Sequence, residues 1–185
     1  MHVEIVMDEK DLRKSIIAKR EGLDKETLAR HCATITESLF DIRGFADFST
    51  YFDYNSFRGE APTNEIINRL KSMGKTVLYP LTKGDTMYAV KPESENFIKD
   101  KFGVYVPEKY SIIDNVDVVI VPLVACDKNL NRIGFGKGYY DRFLRDRQCF
   151  KIGICHDFQV VDEIDPKEWD VPLDIIITEK RILRR

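Results

Sequence analysis

Apolar positions near the start of the chain recur at helical spacing. In residues 8–20 they alternate with charges at intervals of three and four, and a second such stretch begins at Asp24, a good N-cap, and ends before Gly44. A third stretch covers residues 62–73 and stops at Gly74. The pattern predicts three amphipathic helices, each with one buried face.

Other segments carry the spacing of strands. Residues 48–54 are aromatic and alternating, and residues 76–79 form a compact strand after the third helix, so strand, helix and strand predict a parallel pair with a right-handed crossover. Residues 83–111 mix short alternating pieces with glycine and proline and predict edge hairpins or loops. Three further apolar runs lack alternation, as expected for strands covered on both faces: 116–121, 151–155 and 173–178. The order of elements predicts an α/β fold.

Bulk properties narrow the possible partners. With 185 residues, 43% of them hydrophobic, the chain suits one domain over residues 1–185. A formal charge of −2 gives no overall field for nucleic acid or an anionic membrane. Residues 1–7 lack a secretory apolar stretch, and no segment approaches the roughly 20 apolar residues of a membrane span. The four cysteines form no C-x-x-C pair. We expect a cytoplasmic protein with reduced, packed thiols.

The most informative stretch is a glycine loop after the buried strand at 116–121. Gly134, Gly136 and Gly138 occupy alternate positions, which lets main-chain N–H groups approach an anion, and Lys137 adds a positive charge. The loop fits neither common nucleotide signature: G-x-x-x-x-G-K-[ST] requires a hydroxyl where Gly138 stands, and in G-x-G-x-x-G the third glycine comes one residue later. Spacing alone leaves two alternatives, a phosphate site and a tight turn.

The residues after this loop predict a short helix. Tyr139, Tyr140, Phe143 and Leu144 have helical spacing, so the amides of its first turn can also face a phosphate. Asp141 lies in that first turn. Its carboxylate either stabilises the helix end or, beside a polyphosphate, holds a magnesium ion.

Residues 132–141 resemble the hallmark of the 5-formyltetrahydrofolate cyclo-ligase family, R-[LI]-G-x-G-x-G-Y-Y-D, at every position. Weaker similarities extend over nearly the whole chain and include Leu12-Arg13, the turn from Gly59 to Thr63, His156 to Gln159 and Trp169 to Asp174. The resemblance implies a three-layer α/β fold similar to the NagB/RpiA group, with a mostly parallel sheet and helices on both faces. We expect a monomer.

The resemblance also implies a reaction. The formyl oxygen of 5-formyltetrahydrofolate attacks the γ-phosphate of ATP, and ring closure then gives 5,10-methenyltetrahydrofolate, ADP and phosphate. In such phosphoryl transfer the protein mainly positions the reactants and neutralises the charge of the phosphates, with Mg²⁺ as the metal ion. The small molecules 5-formyltetrahydrofolate and ATP are therefore the expected partners.

Site residues follow from the resemblance position by position. It implies catalytic roles for Arg132, Lys137 and Tyr139. It implies magnesium ligands at Asp141 and Asp170. It implies an ATP site formed by Lys10, Arg13, Arg132, Ile133, Gly134, Phe135, Gly136, Lys137, Gly138, Tyr139 and Tyr140. It implies a folate site formed by Asn55, Glu60, Gly136, Lys137, Gly138 and Tyr139.

Some of these positions have plainer explanations. Arg13 also suits a solvated helix face, Glu60 an exposed turn, and His156 a polar strand end rather than a phosphate donor. The chain departs from the family at Glu9, where a lysine is usual, so that Lys10 is displaced by one residue, or about 100° around a helix. Acidic residues usual in the family are replaced by two apolar ones, Pro62 and Val106.

Two other functions fit the same residues. A sugar-phosphate isomerase on a similar fold would use the glycine loop for its substrate's own phosphate, and ATP consumption separates it from a cyclo-ligase. A regulatory folate binder would keep the pocket without turnover. The intact Arg132, Lys137 and Asp141 argue against that binder, because folate alone requires no nucleotide or metal ligands.

Overall fold

The computed structural model describes residues 8–100 and 103–184. Met1–Met7, where the sequence predicts no secretory segment, lie outside the described residues. The α-helices are α1 (Glu9–Glu21), α2 (Lys25–Phe40), α3 (Asn64–Ser72) and α4 (Tyr139–Leu144). The strands are β1 (Thr50–Phe52), β2 (Thr76–Lys83), β3 (Thr86–Pro92), β4 (Phe97–Lys99), β5 (Tyr105–Pro107), β6 (Tyr110–Ile112), β7 (Val118–Val121), β8 (Ala125–Cys126), β9 (Arg132–Ile133), β10 (Phe150–Ile154), β11 (Ile175–Ile177) and β12 (Ile182–Arg184).

The central sheet has the order β12-β11-β10-β7-β1-β2-β3-β6. Strands β11, β10, β7, β1 and β2 run parallel, while β12 at one end and β3 and β6 at the other are antiparallel to their neighbours. Helix α3 connects β1 to the parallel β2, as the strand–helix–strand pattern predicts. The mostly parallel α/β sheet is thereby confirmed.

Helices cover both faces of this sheet. On one face, Ile35 and Leu39 of α2 and Ile66 and Leu70 of α3 pack in one cluster with strand residues such as Ile120. On the other face, a second cluster includes these residues: Phe52, Leu78, Val119, Phe143, Leu144 and Ile176. Because alternate residues of each buried strand point to opposite faces, uninterrupted apolar runs such as Val118–Val121 supply both clusters.

Helix α1 belongs to neither of these two clusters and packs in a third one. Ile16 and Ile17 contact Ala125 and Ile133 of the two-stranded ribbon β8–β9, and Ile164 closes the same cluster. The ribbon leads directly into the glycine loop. This packing therefore places α1 beside that loop.

Several element bounds differ from the sequence patterns. Helix α3 begins at Asn64 instead of Pro62, and the hydroxyl of its N-cap residue Thr63 donates to the carbonyl of Tyr54. Strand β2 continues beyond Tyr79 to Lys83, where it turns at Gly84 into β3. The segment predicted as edge hairpins contains β3 to β6, apart from residues 101 and 102, which are not described. Within the described ranges, no helix is long and apolar enough to cross a membrane.

Candidate active site

A cavity of about 330 Å³ opens at the carboxyl ends of the parallel strands, where α/β sheets usually bind ligands. Tyr54 follows β1 and Pro122 follows β7, and both line it. The sequence-predicted residues that line the cavity are Arg13, Asn55, Glu60, Arg132, Ile133, Gly134, Phe135, Gly136, Lys137, Gly138, Tyr139, Tyr140, Asp141 and Asp170. The fold thus brings the predicted nucleotide, folate and metal residues to one place.

The glycine loop needs glycine at two of its positions. Gly136 and Gly138 have φ values of 89° and 63°, in the left-handed region that side chains with a Cβ rarely adopt. Gly138 immediately precedes α4, and the Arg142 guanidinium donates to the carbonyl of Lys137 at 3.0 Å (Nη2 to O). These contacts hold the loop curved, with the Lys137 residue at the wall of the cavity.

Arg132 and Asp141, at the two ends of the loop motif, form a buried ion pair. Arg132 Nη2 lies 2.6 Å from Asp141 Oδ1, and the side chains are only 5% and 14% exposed. The backbone N–H of Val171 also donates to Asp141 Oδ1, at 3.2 Å. Asp170 accepts a hydrogen bond from the backbone N–H of Lys167. Both predicted magnesium ligands therefore reach the cavity on anchored segments.

Helix α1 contacts the glycine loop through Arg13. Its Nε donates to the carbonyl of Gly134 at 2.7 Å, and its Nη2 pairs with Glu9 Oε1 at 2.6 Å. The structure does not bring Lys10 to the cavity: its side chain is exposed, while Glu9 on the preceding position lines the wall. The one-residue displacement noted in the sequence thus directs the lysine away from the cavity.

The wall of the cavity contains a carboxyl group with an unusual environment, that of Glu60. Glu60 is buried, and its Oε2 accepts from the backbone N–H of Phe57 at 2.9 Å. Burial raises the pKa of Glu60 to about 7, with that hydrogen bond and the nearby Arg20 charge opposing the rise. Near neutral pH this side chain can therefore exist with or without its proton. Asn55 donates its side-chain amide to the carbonyl of Tyr105, which fixes its orientation.

Aromatic residues of the 48–54 stretch and of the turn after it divide between the core and the cavity wall. Tyr51 and Phe52 are fully buried in the two core clusters. Tyr54 and Phe57 line the cavity, and the Tyr54 hydroxyl donates to the carbonyl of Ala61 at 2.9 Å. Met87, which the motifs did not indicate, lines it as well, as does Trp169 from the weaker family similarity at Trp169 to Asp174.

Arg20 is a residue of this region that sequence reasoning missed. It is 1% exposed, donates to the carbonyl of Leu123 at 3.1 Å, and stacks over the Phe135 ring at 5.5 Å. Burial is the main cause that lowers the pKa of its guanidinium. Its seven-residue spacing from Arg13, two helical turns on the same face, was the available signal. Arg20 therefore connects α1 to both the loop and the Glu60 region.

His156 has a structural position outside the cavity lining. The residue is fully buried, and its ring contacts His31 and the carbonyl of Gly59. Its placement at the end of β10 agrees with a polar strand-end residue.

The four cysteines are free thiols, and Cys32, Cys126 and Cys155 are buried.

Comparison with known proteins identifies the family of the chain. The model of the 5-formyltetrahydrofolate cyclo-ligase family matches residues 6–179. The 5-formyltetrahydrofolate cyclo-ligase of Escherichia coli K12 is 34% identical over 140 residues, covering 69% of this chain and 76% of its own length. The enzyme of the same name from Mycoplasma pneumoniae is 32% identical over 179 residues, covering 94% of this chain and 100% of its own.

Solved structures give the same result for the fold. The structure of Aquifex aeolicus 5,10-methenyltetrahydrofolate synthetase superimposes with a TM-score of 0.86 at 29% identity, covering 96% of this chain and 93% of that one. A 5,10-methenyltetrahydrofolate synthetase from Mycoplasma pneumoniae superimposes with a TM-score of 0.75 at 29% identity, covering 94% and 99%. On the family match over residues 6–179 and the similarity of sequence and fold to these proteins, the chain belongs to the 5-formyltetrahydrofolate cyclo-ligase family, whose members are enzymes.

Proposed function

We propose that this enzyme uses ATP to convert 5-formyltetrahydrofolate to 5,10-methenyltetrahydrofolate, and that it does so in the cytoplasm as a monomer. The observation that carries the proposal is one cavity lined by two chemically different sets of groups. Lys137 and Arg132 supply positive charge from the glycine loop, and Glu60 supplies a buried carboxyl group. These groups suit a phosphate donor and a heterocycle with hydrogen-bond donors.

The glycine loop is proposed to hold ATP. Lys137, a mobile cation at the wall of the cavity, would neutralise charge on the transferred phosphoryl group. Arg132 is more constrained, because it is paired with Asp141, and would bind a phosphate oxygen with a remaining N–H. Tyr139 would orient the substrates from the same wall, while its hydroxyl donates to the carbonyl of Gly84 at 3.0 Å.

Asp141 and Asp170 fit a magnesium ion. Mg²⁺ in phosphoryl-transfer enzymes is usually held by one or two carboxylates together with substrate phosphates and water, and these two carboxylates line the phosphate end of the cavity. Because Arg132 and the Val171 N–H both bind Oδ1 of Asp141, Oδ2 is the proposed metal ligand. When bound, Mg²⁺ would neutralise phosphate charge during transfer.

Glu60 and Asn55 are proposed to bind the pterin ring. A carboxylate can accept two hydrogen bonds from the N–H groups of the 2-amino-4-oxo edge, and such charge-assisted pairs are strong. Substrate binding would then favour the ionised form of Glu60, whose pKa is about 7 in the free enzyme. Tyr54 and Phe57 supply the neighbouring aromatic wall.

The proposed chemistry proceeds in two steps. The formyl oxygen forms a bond to the γ-phosphorus of ATP, and the bond to ADP breaks. The neighbouring folate nitrogen then attacks the formyl carbon, loses its proton, and phosphate leaves. Both steps depend on holding the reacting atoms close together, which is the main contribution of a preformed cavity.

The absorbance of methenyltetrahydrofolate provides the test. Purified protein is mixed with 5-formyltetrahydrofolate, Mg²⁺ and ATP, and the absorbance is compared with a mixture lacking ATP. A rise that requires ATP is the expected result, with one ADP formed for each methenyltetrahydrofolate. Folate binding without a rise would instead identify a regulatory binder, and the absence of both binding and turnover would contradict the proposal.

A further inference from the structure

Three potential metal ligands meet outside the cavity, on elements far apart in the chain. His31 lies on α2, His156 follows β10, and Glu179 follows β11. The Nδ1 atoms of the two histidines are 3.1 Å apart, and His31 Nε2 lies 3.8 Å from Glu179 Oε1. One ligand atom from each residue lies within 4.8 Å of the other two. Nothing in the proposed folate chemistry uses these side chains.

The surrounding hydrogen bonds orient two of the three ligands. His156 Nε2 lies 3.3 Å from the carbonyl of Gly59, which can only accept, so this nitrogen carries the proton. The lone pair of His156 Nδ1 then points at His31. Glu179 is fixed through Oε2, which accepts from the backbone N–H of Asp157 at 2.8 Å. A histidine that donates its other N–H to a backbone carbonyl is the usual arrangement beside a metal.

Either a proton or a metal ion can lie between the two Nδ1 atoms of this cluster. In one arrangement, the Nδ1–H of His31 donates to Nδ1 of His156. In the other, a metal ion replaces the proton between the histidines. Two nitrogens on a tetrahedral zinc ion, each about 2.0–2.1 Å from it, lie roughly 3.3 Å apart. The observed separation of 3.1 Å therefore needs to open by only a few tenths of an ångström.

We propose that His31, His156 and Glu179 bind one zinc-type divalent ion, with water completing its coordination. Two imidazoles favour Zn²⁺ or Co²⁺ over Mg²⁺, which prefers oxygen ligands, so this site is chemically distinct from the one at Asp141 and Asp170.

Such an ion would connect three parts of the fold. It would hold α2 to the strand ends after β10 and β11. Through His156 and the Gly59 carbonyl it would also brace the turn that carries Glu60. We therefore expect the metal to stabilise the folded chain, since a ligand that binds only the folded state raises its stability.

Calorimetric titration of the chelator-treated full chain with Zn²⁺ tests the site. The expected result is one ion per chain, with affinity reduced by about tenfold or more in His31→Ala and in Glu179→Gln. His31 is half-buried on a helix, so its replacement should leave the fold intact, and circular dichroism checks this. His2→Ala removes the chain's other histidine and is the matched control, with unchanged affinity.

Co²⁺ absorption adds a second measurement. Coordination by nitrogen and oxygen gives d–d bands without a thiolate charge-transfer band, whereas binding through the cysteines would produce that band. The absence of Zn²⁺ binding, or equal affinity in His31→Ala, Glu179→Gln and the wild type, would overturn the proposal. Because neither measurement uses folate or ATP, failure here is distinguishable from failure of the proposed catalytic function.

Discussion

Replacing Glu60 by glutamine should stabilise the protein while weakening folate binding. The side chain is 6% exposed, and burial raises its pKa from 4.5 to about 7. Glutamine has the same shape, and its amide oxygen can still accept from the N–H of Phe57. The substitution therefore removes mainly the cost of a buried negative charge.

The size of the gain follows from the two pKa values. Between pH 4.5 and about 7 the folded chain holds a proton that the unfolded chain has lost, so Glu60 makes stability fall as pH rises. This stability is fully present below pH 4.5 and is lost as the pH passes about 7. At about 1.4 kcal/mol per pKa unit, Glu60→Gln should add about 3 kcal/mol at pH 8, about 2 kcal/mol at pH 6, and under about 1 kcal/mol at pH 5.

Urea unfolding of the ligand-free protein at these three pH values measures the difference in free energy of unfolding. Glu108→Gln removes the same formal charge from an exposed position and controls for net charge. A gain that does not grow with pH, or a loss at pH 8, would refute the assignment of a buried, costly carboxylate. The same variant should raise the KM for 5-formyltetrahydrofolate, since a neutral amide cannot form the charge-assisted pair.

Three further substitutions test the proposed site and its support. Lys137→Ala should lower kcat on the order of a hundredfold or more, because it removes charge stabilisation in phosphoryl transfer. The midpoint of urea unfolding should change little, and turnover equal to that of the wild type would exclude this role for Lys137. Asp141→Asn should raise the Mg²⁺ concentration for half-maximal rate on the order of tenfold, and an unchanged Mg²⁺ titration would place the metal elsewhere. Gly59→Ala should cost about 2–4 kcal/mol of unfolding free energy, because φ is 69° and the added Cβ would lie 2.7 Å from the backbone of Arg20. Gly84→Ala, at φ 58° with open space around the Cβ, is its control and should cost about 1 kcal/mol.

Features that depend only on neighbouring residues could be predicted from the sequence. The 132–141 motif predicted the family, because a loop that binds phosphates places its glycines, cation and carboxylate within a few positions of one another. Helix α2 begins within one residue of the predicted N-cap, since Asp24 accepts from the N–H of Thr27 three residues away. Helical periodicity and capping act over single turns, so they can be inferred locally.

Strand order and the ends of several elements required the tertiary structure. Helix α3 starts at Asn64, two residues later than the sequence pattern predicts, and the Thr63 hydroxyl before it donates to Tyr54, nine positions earlier. The order β10-β7-β1-β2 places strands together that are distant in the chain, and apolar runs of similar composition do not identify their partners. Pairing depends on how the whole core closes.

The same limit applies to the chemistry. The sequence gives no reason to group His31 with His156, 125 positions apart, or to expect the complete burial of Arg20 on a charged helix. The raised pKa of Glu60 also arises from the desolvation that packing imposes, not from adjacent residues. The reaction class could be inferred from the contiguous loop at 132–141. The protonation of Glu60, the charge of Arg20 beside the cavity and the proposed zinc-type site all depend on contacts that form only when the chain folds.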